Sequence, residues 1–368
     1  MNILALNWQD ISNPLAGGAE VHLEELLRRI AAKGHNITLF CSGYRGAAPE
    51  EVIEGIRIIR RGNRYDFNLI APFHLRKLVK NGSFDLLIED INKIPFYTPL
   101  YLNLPTLVVI PHLFSTSVFK EINFLLGFYI YMSEKPLVSV YRGKKFNVIS
   151  ESTAHDMVEK GVPSEDISVI HCGIDELVYN NDGNSQKFEQ PTILYLGRIK
   201  KYKSIDHLIL AFKKVLANIP NARLIIVGSG DYLEPLKVLS RRLDISEKVA
   251  FTGYVSIEEK VEYLRRSHVA VYPSLKEGWG LTNIEANACG TAVIAANVPG
   301  LRDSVVDGET GYLYQYGNVN ELAGKLEKIL SDEATRINLE KGGLKWAGKF
   351  NWDSAAEEFL KLLSSIAG

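Results

Sequence analysis

The sequence predicts an α/β protein with two domains, each built on a doubly wound parallel sheet. Short apolar runs alternate with helical patterns along the chain, and this alternation is typical of parallel sheets covered by helices. The alternation occurs twice, on either side of a polar, turn-rich stretch at 179–191. The length of 368 residues suits two domains better than one hydrophobic core.

The first series of elements begins at once, with a strand at 2–7. An amphipathic helix at 20–33 follows, and Gly34 is placed to end it. Further strands are predicted at 36–41, 56–60, 86–89, 106–110 and 147–150.

The second series is predicted to contain strands at 192–197, 223–228, 249–252, 269–272 and 292–295, with helices between them and at 319–330, 333–349 and 354–366. We therefore predict an N-terminal Rossmann-like domain at 1–176, a linker at 177–191, a C-terminal Rossmann-like domain at 192–345, and C-terminal helices at 346–368 that pack back on the first domain. Ligands of such sheets bind at the carboxyl ends of the strands. We expect the two sheets to face a cleft between the domains.

The amino-acid composition argues against several classes of protein. A formal net charge of −1 argues against a nucleic-acid partner. The three cysteines are far apart, which predicts a reduced, cytoplasmic protein rather than a disulfide framework or a metal site. We expect no leader sequence, and no apolar run reaches the roughly 18–20 residues of a membrane span.

The most informative segment runs from Glu277 to Glu285. Glu277 lies on the loop after a predicted strand, and Glu285 lies on the second turn of a helix that opens after a glycine-rich turn. Amides at a helix N-terminus attract phosphate. Two carboxylates on either side of such an anion site suit a sugar nucleotide, and the alternative is a loop glutamate and a solvated helix glutamate.

Two cations follow the first strand of the second series. Arg198 and Lys203, after Gly197, are placed to hold a diphosphate, although a solvated basic turn gives the same pattern. Gly228 and Gly230 follow the next strand, but a full dinucleotide fingerprint would need glycine at 233, where the chain has Leu233. We interpret this pair as a tight turn, which argues against a nicotinamide oxidoreductase.

The first domain contributes three candidates at the ends of its strands. Gly17 and Gly18 permit close approach of the backbone to a ligand, and turn-plus-cap chemistry is the alternative. His112 follows the strand at 106–110, where an imidazole can bind a sugar hydroxyl or transfer a proton; a structural histidine is the alternative.

Together these segments resemble the retaining, nucleotide-sugar-dependent glycosyltransferases of family 4, which have the GT-B fold. The resemblance extends over nearly the whole chain, and its specificity lies in the joint order of the pieces. Besides the residues above it includes the segments at 150–152, 173–175, 251–255, 277–294 and 308–311. The family usually has other residues at three positions, Ser204, Asn287 and His171, which leaves the local shape of the donor pocket open.

The resemblance implies a role for each residue. Glu285 would hold the ribose hydroxyls of the donor, and Glu277 the hydroxyls of the transferred sugar. Arg198 and Lys203 would neutralise the departing diphosphate, so no metal and no cofactor would be needed. The donor site is completed by Gly17, Gly18, Gly197, Tyr254, Val255, Gly278, Gly280, Leu281 and Thr282, with His112 beside the sugar or the leaving phosphate.

The implied reaction transfers a hexose or N-acetylhexosamine from a UDP- or GDP-sugar to a hydroxyl acceptor. A retaining double displacement needs a nucleophilic carboxylate, and none is identified in the sequence. Attack on the front face, with the leaving phosphate as base, is therefore our hypothesis. A sugar-nucleotide epimerase, a sugar phosphorylase and a non-catalytic binder of sugar nucleotides are the alternatives.

The acceptor would be a small molecule, a glycan or a lipid-linked precursor. Residues 57–80 are basic and aromatic, with only Asp66 opposing the positive charges, and residues 114–131 are aromatic and apolar. Both stretches suit peripheral contact with an anionic lipid surface at the inner membrane face. A solvated helix face and ordinary core are the equally open alternative.

Overall fold

The structure is a computed structural model that describes residues 1–114, 118–121 and 124–367. It divides into two compact units. Unit 1 comprises Met1–Gly173 and the chain from Trp352 onward, and unit 2 comprises Ile174–Asn351. The boundaries therefore differ from those we expected: the predicted linker at 177–191 belongs to unit 2, and the returning segment begins at Trp352 instead of 346.

The strands of unit 1 are β1 (Asn2–Leu6), β2 (Asn36–Ser42), β3 (Glu50–Ile53), β4 (Ile56–Arg61), β5 (Leu86–Asp90), β6 (Thr106–Ile110), β7 (Lys145–Val148) and β8 (Ile167–Val169). Within the described residues they form one sheet in the order β3-β4-β2-β1-β5-β6-β7-β8. Neighbouring strands are parallel, except that β3 and β4 are antiparallel.

The helices of unit 1 are α1 (Gly18–Ala32), α2 (Phe67–Asn81), α3 (Val118–Glu121), α4 (Phe124–Glu134), α5 (Leu137–Val140), α6 (Glu151–Glu159) and, from the end of the chain, α13 (Trp352–Ala367). Helix α13 packs on α1: the rings of Trp352 and His22 are 6.1 Å apart, and Arg29 Nε lies 2.5 Å from Asp353 Oδ1. Its apolar face is fully buried at Phe359 and Leu363.

The strands of unit 2 are β9 (Thr192–Leu196), β10 (Arg223–Val227), β11 (Val249–Gly253), β12 (Val269–Tyr272), β13 (Ala292–Ala296) and β14 (Gly311–Tyr314). In the described part of the chain they form a fully parallel sheet in the order β11-β10-β9-β12-β13-β14. Its helices are α7 (Ile205–Asn218), α8 (Leu233–Arg242), α9 (Ile257–Arg266), α10 (Leu281–Ala288), α11 (Val319–Ser331) and α12 (Glu333–Ala347).

Burial explains why these segments form strands and helices. A parallel strand covered on both faces needs a continuous apolar run, and β12 and β13 are buried at every residue. Helix α7 instead buries one stripe, formed by Ile205, Leu208, Ile209, Phe212 and Val215. Among the described residues, every helix is too short or too polar to cross a bilayer.

Three strands have no counterpart among the predicted strands. Strand β3 carries Glu50 and Glu51 and lies at the sheet edge, β8 has only three residues, and β14 begins at a glycine. None of them has the long apolar run that a central parallel strand requires.

Candidate active site

The loop after β9 places Arg198 at the carboxyl edge of the unit 2 sheet. The hydroxyl of Tyr195 donates to the carbonyl of Arg198 at 2.9 Å, which fixes the backbone while the guanidinium remains exposed. Arg198 Nη2 donates to the hydroxyl of Tyr202 at 3.3 Å. A Cβ at Gly228 would lie 2.0 Å from the Gly197 carbonyl oxygen, so this glycine is needed for contact between two loops.

Lys203 is held near the end of β12 by the same loop. It ends a 3₁₀ turn, Lys201–Lys203, and Ser204 follows in the left-handed region with φ +51°. The amide of Leu275, just after β12, donates to the carbonyl of Tyr202 at 2.9 Å. This bond ties the loop that carries Lys203 to the loop that carries Glu277.

Lys203 and Glu277 form an ion pair in which Nζ donates to Oε1. Their side chains are 14% and 23% exposed. Burial lowers the pKa of Lys203, but the charge and hydrogen bond of Glu277, together with the nearby Tyr202 hydroxyl, outweigh burial and raise that pKa above 10.5. Burial raises the pKa of Glu277, and the charge and hydrogen bond of Lys203 outweigh it, so the pKa of Glu277 lies below 4.5. Both groups are therefore ionised at neutral pH.

Helix α10 begins directly after this pair. Gly280 caps it in the left-handed region with φ +74°, and a Cβ there would lie 2.5 Å from Ser304 Oγ. Glycine is therefore required at this position for two independent reasons. The first amides of a helix have no acceptor within the helix, and in α10 these include the amides of Leu281 and Thr282.

Gly300, which is not among the predicted site residues, also shapes this loop. It has φ +82°, and a Cβ there would lie 2.1 Å from the carbonyl oxygen of Glu277 and 2.9 Å from the carbonyl carbon of Gly278. The 277–278 backbone thus rests directly on Gly300. Local sequence gave no signal for this contact, because it joins residues far apart in the chain.

Glu285 is paired with a lysine of its own. Lys260 Nζ of α9 donates to Glu285 Oε2 at 2.9 Å and to the hydroxyl of Tyr179 at 2.7 Å. The Glu285 side chain is 8% exposed. Burial and the charge of Glu285 raise the pKa of Tyr179, so its hydroxyl stays protonated. Neither Lys260 nor Tyr179 belongs to a motif that the sequence predicts for this site.

Tyr254 and Val255 follow β11, two strands from β9 in the sheet order. Tyr254 is 89% exposed and Val255 is half-buried. They do not contact the Lys203–Glu277 pair through any hydrogen bond or ion pair shown by the described residues.

Unit 1 carries the remaining candidates at the ends of its own strands. Gly17 precedes α1, and its amide donates to Glu20 Oε2 at 2.7 Å. Glu20 Oε1 in turn accepts from Asn92 Nδ2 at 2.9 Å, so the loop of Gly17 and Gly18 is tied to the end of β5. His112 follows β6, and its ring packs edge-on against Phe114 at 4.9 Å.

The three departures from the family pattern have structural partners. Ser204 Oγ lies 2.9 Å from the hydroxyl of Tyr316, and Asn287 Nδ2 donates to the carbonyls of Thr291 and Thr310. His171 Nδ1 lies 3.0 Å from the carbonyl oxygen of Ile149. None of these contacts involves Arg198, Lys203, Glu277 or Glu285.

Part of the basic stretch at 57–80 is neutralised by acids outside it, contrary to our expectation. Arg60 is buried and binds both Asp10 and Glu51, while Arg57 and Arg61 pair with Glu50. Residues 115–117 and 122–123 of the apolar stretch lie outside the described residues. Among the described residues, no group of three or more His, Cys, Asp or Glu side chains is arranged to hold a metal ion.

Comparison with known proteins places the chain in a family. The family model described as Glycosyltransferase Family 4 matches residues 16–176, and the model described as Glycosyl transferases group 1 matches residues 180–346. The chain belongs to the group 1, family 4 glycosyltransferases. It is an enzyme of the glycosyl-transferring class, and the resemblance found in its sequence is confirmed.

Individual relatives agree with this assignment. An uncharacterized glycosyltransferase of Methanocaldococcus jannaschii is 26% identical over 97% of this chain and 96% of the relative. Matches to other curated relatives span 39–60% of those relatives' length.

Solved structures show the fold. Sucrose-phosphate synthase from Thermosynechococcus elongatus matches with a TM-score of 0.82 at 23% identity, over 100% of this chain and 99% of the other. Anabaena HepE in complex with UDP-glucose matches with a TM-score of 0.77 at 18% identity, over 99% and 100%. With two parallel α/β sheets, these likenesses confirm the predicted GT-B fold.

Proposed function

We propose that the enzyme transfers a hexose or N-acetylhexosamine from a UDP- or GDP-sugar to a hydroxyl acceptor, with retention of configuration and without a metal ion. The observation that carries this proposal is the Lys203–Glu277 pair beside the start of α10. It combines a cation, a carboxylate and free helix amides at one edge of the unit 2 sheet. These are the groups needed for a diphosphate and for sugar hydroxyls.

The main requirement of the reaction is that negative charge on the departing diphosphate be stabilised. As the bond between the anomeric carbon and the diphosphate breaks, negative charge grows on the departing oxygen. Lys203 and Arg198 would stabilise that charge, with the amides of Leu281 and Thr282 and the backbone at Gly197, Gly278 and Gly280 around the phosphates. Two side-chain cations at this place make a metal ion unnecessary.

Glu277 would bind hydroxyls of the transferred sugar and would not act as a nucleophile. Its carboxylate accepts from Lys203, and Lys203 keeps it ionised but lowers its basicity. In the proposed step the acceptor oxygen bonds to the anomeric carbon on the face that the diphosphate leaves. The acceptor proton passes to the departing phosphate oxygen, so no protein base is consumed.

The other residues are assigned to the rest of the donor and to the acceptor side. Glu285 would bind the ribose hydroxyls, and the exposed Tyr254 with Val255 would meet the base. In unit 1, Gly17 and Gly18 would approach the donor phosphates and acceptor, and His112 would contact the sugar or the leaving phosphate. The complex of HepE with UDP-glucose supports UDP as one of the two nucleotides to test.

Ligand binding and product analysis test this proposal. A thermal-shift panel of UDP, GDP and their sugars identifies the nucleotide, because a ligand that binds the folded state raises the melting temperature. Turnover of the selected donor is then measured with candidate acceptors, with and without EDTA, and the product anomer is assigned by NMR.

We expect an acceptor-dependent product of retained configuration and full activity in EDTA. A donor converted without any acceptor would point to an epimerase, and phosphate-dependent turnover to a phosphorylase. Binding without turnover would make the protein a sugar-nucleotide binder. A trapped covalent glycosyl-enzyme would overturn front-face attack.

We also propose that unit 1 contacts an anionic lipid surface, which would bring a lipid-linked acceptor to the enzyme. Helix α4 exposes an unusual number of large apolar side chains: Phe124, Leu125, Leu126, Phe128, Tyr129 and Met132. Exposed Leu69 and Phe73 of α2 join them, since Asn68 Nδ2 donates to the hydroxyl of Tyr129 at 2.8 Å. Such contiguous exposure marks an interaction surface.

The charge beside this surface favours lipid as the partner. Arg64, Lys77 and Lys80 are exposed on or beside α2 and have no acidic partner among the described ion pairs. Apolar groups flanked by such cations bind anionic headgroups and acyl chains together. Co-sedimentation with anionic vesicles at low salt tests the contact, and absence of binding would exclude it.

A further inference from the structure

Three elements of unit 2 meet at Glu285. Glu285 comes from α10, Lys260 from α9 and Tyr179 from the segment before β9. Lys260 Nζ donates to both of the others, at 2.9 Å to Glu285 Oε2 and at 2.7 Å to the Tyr179 hydroxyl. A lysine ammonium has three donors, so two of them are used at fixed positions.

Lys260 and Tyr179 compensate the cost of burying the Glu285 carboxylate. A nearly buried carboxylate is costly unless a cation or hydrogen bond compensates it, and a flexible one would turn toward water. Lys260 compensates the charge, and Tyr179 limits where the ammonium can lie. One carboxylate oxygen, Oε2, is thereby engaged by the protein.

We infer that Lys260 is a positioning residue for donor binding: together with Tyr179 it holds Oε2 of Glu285 so that Oε1 meets the ribose hydroxyls. This inference rests on the proposed role of Glu285. Lys260 would act through the carboxylate and would not touch the nucleotide. The lysine that serves the diphosphate, Lys203, belongs to a separate pair with Glu277.

The separation of the two pairs gives the inference a specific consequence. Loss of Lys260 leaves the Glu285 side chain free to turn away, which weakens contacts with the ribose. The contacts of Lys203 with the phosphates remain. The defect should therefore depend on the ribose hydroxyls and disappear when the nucleotide lacks them.

The test compares UDP and GDP with their 2′,3′-dideoxy forms by calorimetry. We expect Lys260→Met to weaken binding of the preferred nucleoside diphosphate at least about tenfold, as for one hydrogen bond to a charged group. Binding of the dideoxy form should change less than about twofold. Tyr179→Phe, which keeps the ion pair, should cost roughly threefold with the same dependence on the hydroxyls.

Glu285→Gln and Lys248→Met are the reference variants. Glu285→Gln should show the same hydroxyl-dependent loss, and Lys248→Met, on an exposed turn before β11, should bind like the unmodified enzyme. If Glu285→Gln discriminates between the two nucleotides but Lys260→Met does not, the positioning role is wrong. If neither discriminates, the ribose role of Glu285 fails with it.

Discussion

Lys203 donates a hydrogen bond to Glu277 across 74 positions of sequence, and the two residues compensate each other's charge within unit 2. In the proposed donor complex, the diphosphate would compete with this carboxylate for the lysine. Once the ammonium had turned to the phosphates, the carboxylate oxygens would become available to sugar hydroxyls. The pair would thereby couple recognition of the phosphates to recognition of the sugar.

Replacement of Lys203 should weaken diphosphate binding selectively. We expect Lys203→Met to lower affinity for UDP or GDP about 10- to 100-fold, because a hydrogen bond to a charged group is lost. Affinity for the corresponding nucleoside monophosphate should change much less. Donor turnover should fall about 100- to 1,000-fold, as for loss of one group that stabilises developing charge.

The matched control for this prediction is Lys201→Met. Lys201 lies in the same 3₁₀ turn, carries the same charge and is exposed. It should leave both affinities unchanged. Equal losses in the two variants would mean that general charge, and not the position of Lys203, governs binding.

Gly300→Ala should disrupt the loop that carries Glu277. The new Cβ would overlap the Glu277 carbonyl oxygen at 2.1 Å, so the 277–278 backbone must shift. We expect donor turnover to fall at least about 100-fold, since small displacements at a reacting centre are costly. Turnover of the donor at saturating concentration checks this.

Gly317→Ala separates this overlap from backbone strain. Gly317 has φ +83°, nearly the +82° of Gly300, but no atom lies within 4 Å of its added Cβ. Both variants should lose similar stability from the left-handed conformation, and only Gly300→Ala should lose activity. Similar activity in the two would show that the Glu277 loop tolerates the shift.

Glu24 of α1 makes the stability of unit 1 depend on pH. Burial, with the charges of Asp10, Glu25 and Glu54, raises its pKa from 4.5 to about 7. A raised carboxyl pKa means that the folded state binds the proton more tightly than the unfolded state. Below pH 4.5, Glu24 is protonated in both states and does not reduce the free energy of unfolding. As the pH rises from 4.5 to about 7, the unfolded state loses the proton more readily, and the free energy of unfolding falls.

Glu24→Gln should remove this dependence. The free energy of unfolding of the variant minus that of the natural enzyme should rise by about 3 kcal/mol from pH 4 to pH 8.5, at 1.36 kcal/mol per pKa unit. Buried His22 has a pKa lowered by burial to about 4, and its titration cancels because both proteins contain it. Urea unfolding at the two pH values checks the gain, and a difference independent of pH would contradict it.

Leu125→Glu should weaken binding to anionic vesicles. Leu125 is 79% exposed on α4, and the change removes apolar area and adds repulsion, so we expect a loss of roughly tenfold or more. Val52→Glu is the control in the same unit, since Val52 is 69% exposed but belongs to β3 and not to α4. An equal loss of co-sedimentation in both variants would show that the added negative charge alone weakens vesicle binding, and that the position of Leu125 on α4 does not matter.

Local patterns in the sequence were enough to predict the parallel sheets. Strands such as β12 and β13 need long apolar runs, and Gly280 was recognised because a glycine-rich turn precedes a helix. Strand β3, which pairs antiparallel with the predicted β4, has no such run, because an edge strand tolerates charges such as Glu50 and Glu51.

Contacts between distant residues were beyond prediction from one sequence. Glu277 and Glu285 were recognised as a pair of carboxylates, yet nothing local indicated that each would have its own lysine. Tyr179 lies 81 positions before Lys260, and it was assigned to a linker because its neighbours are polar. Only the folded chain brings Gly300 against the Glu277 backbone.

The return of α13 to unit 1 has a consequence for biosynthesis. Helix α13, with Phe359 and Leu363 fully buried, completes the packing of unit 1, but the ribosome makes it only after the whole of unit 2. At about 5–20 residues per second, synthesis of unit 2 takes roughly 10–40 s, and during this time nascent unit 1 lacks its last helix. Unit 2 is therefore the first of the two units whose chain is complete, although most of unit 1 is synthesised before it.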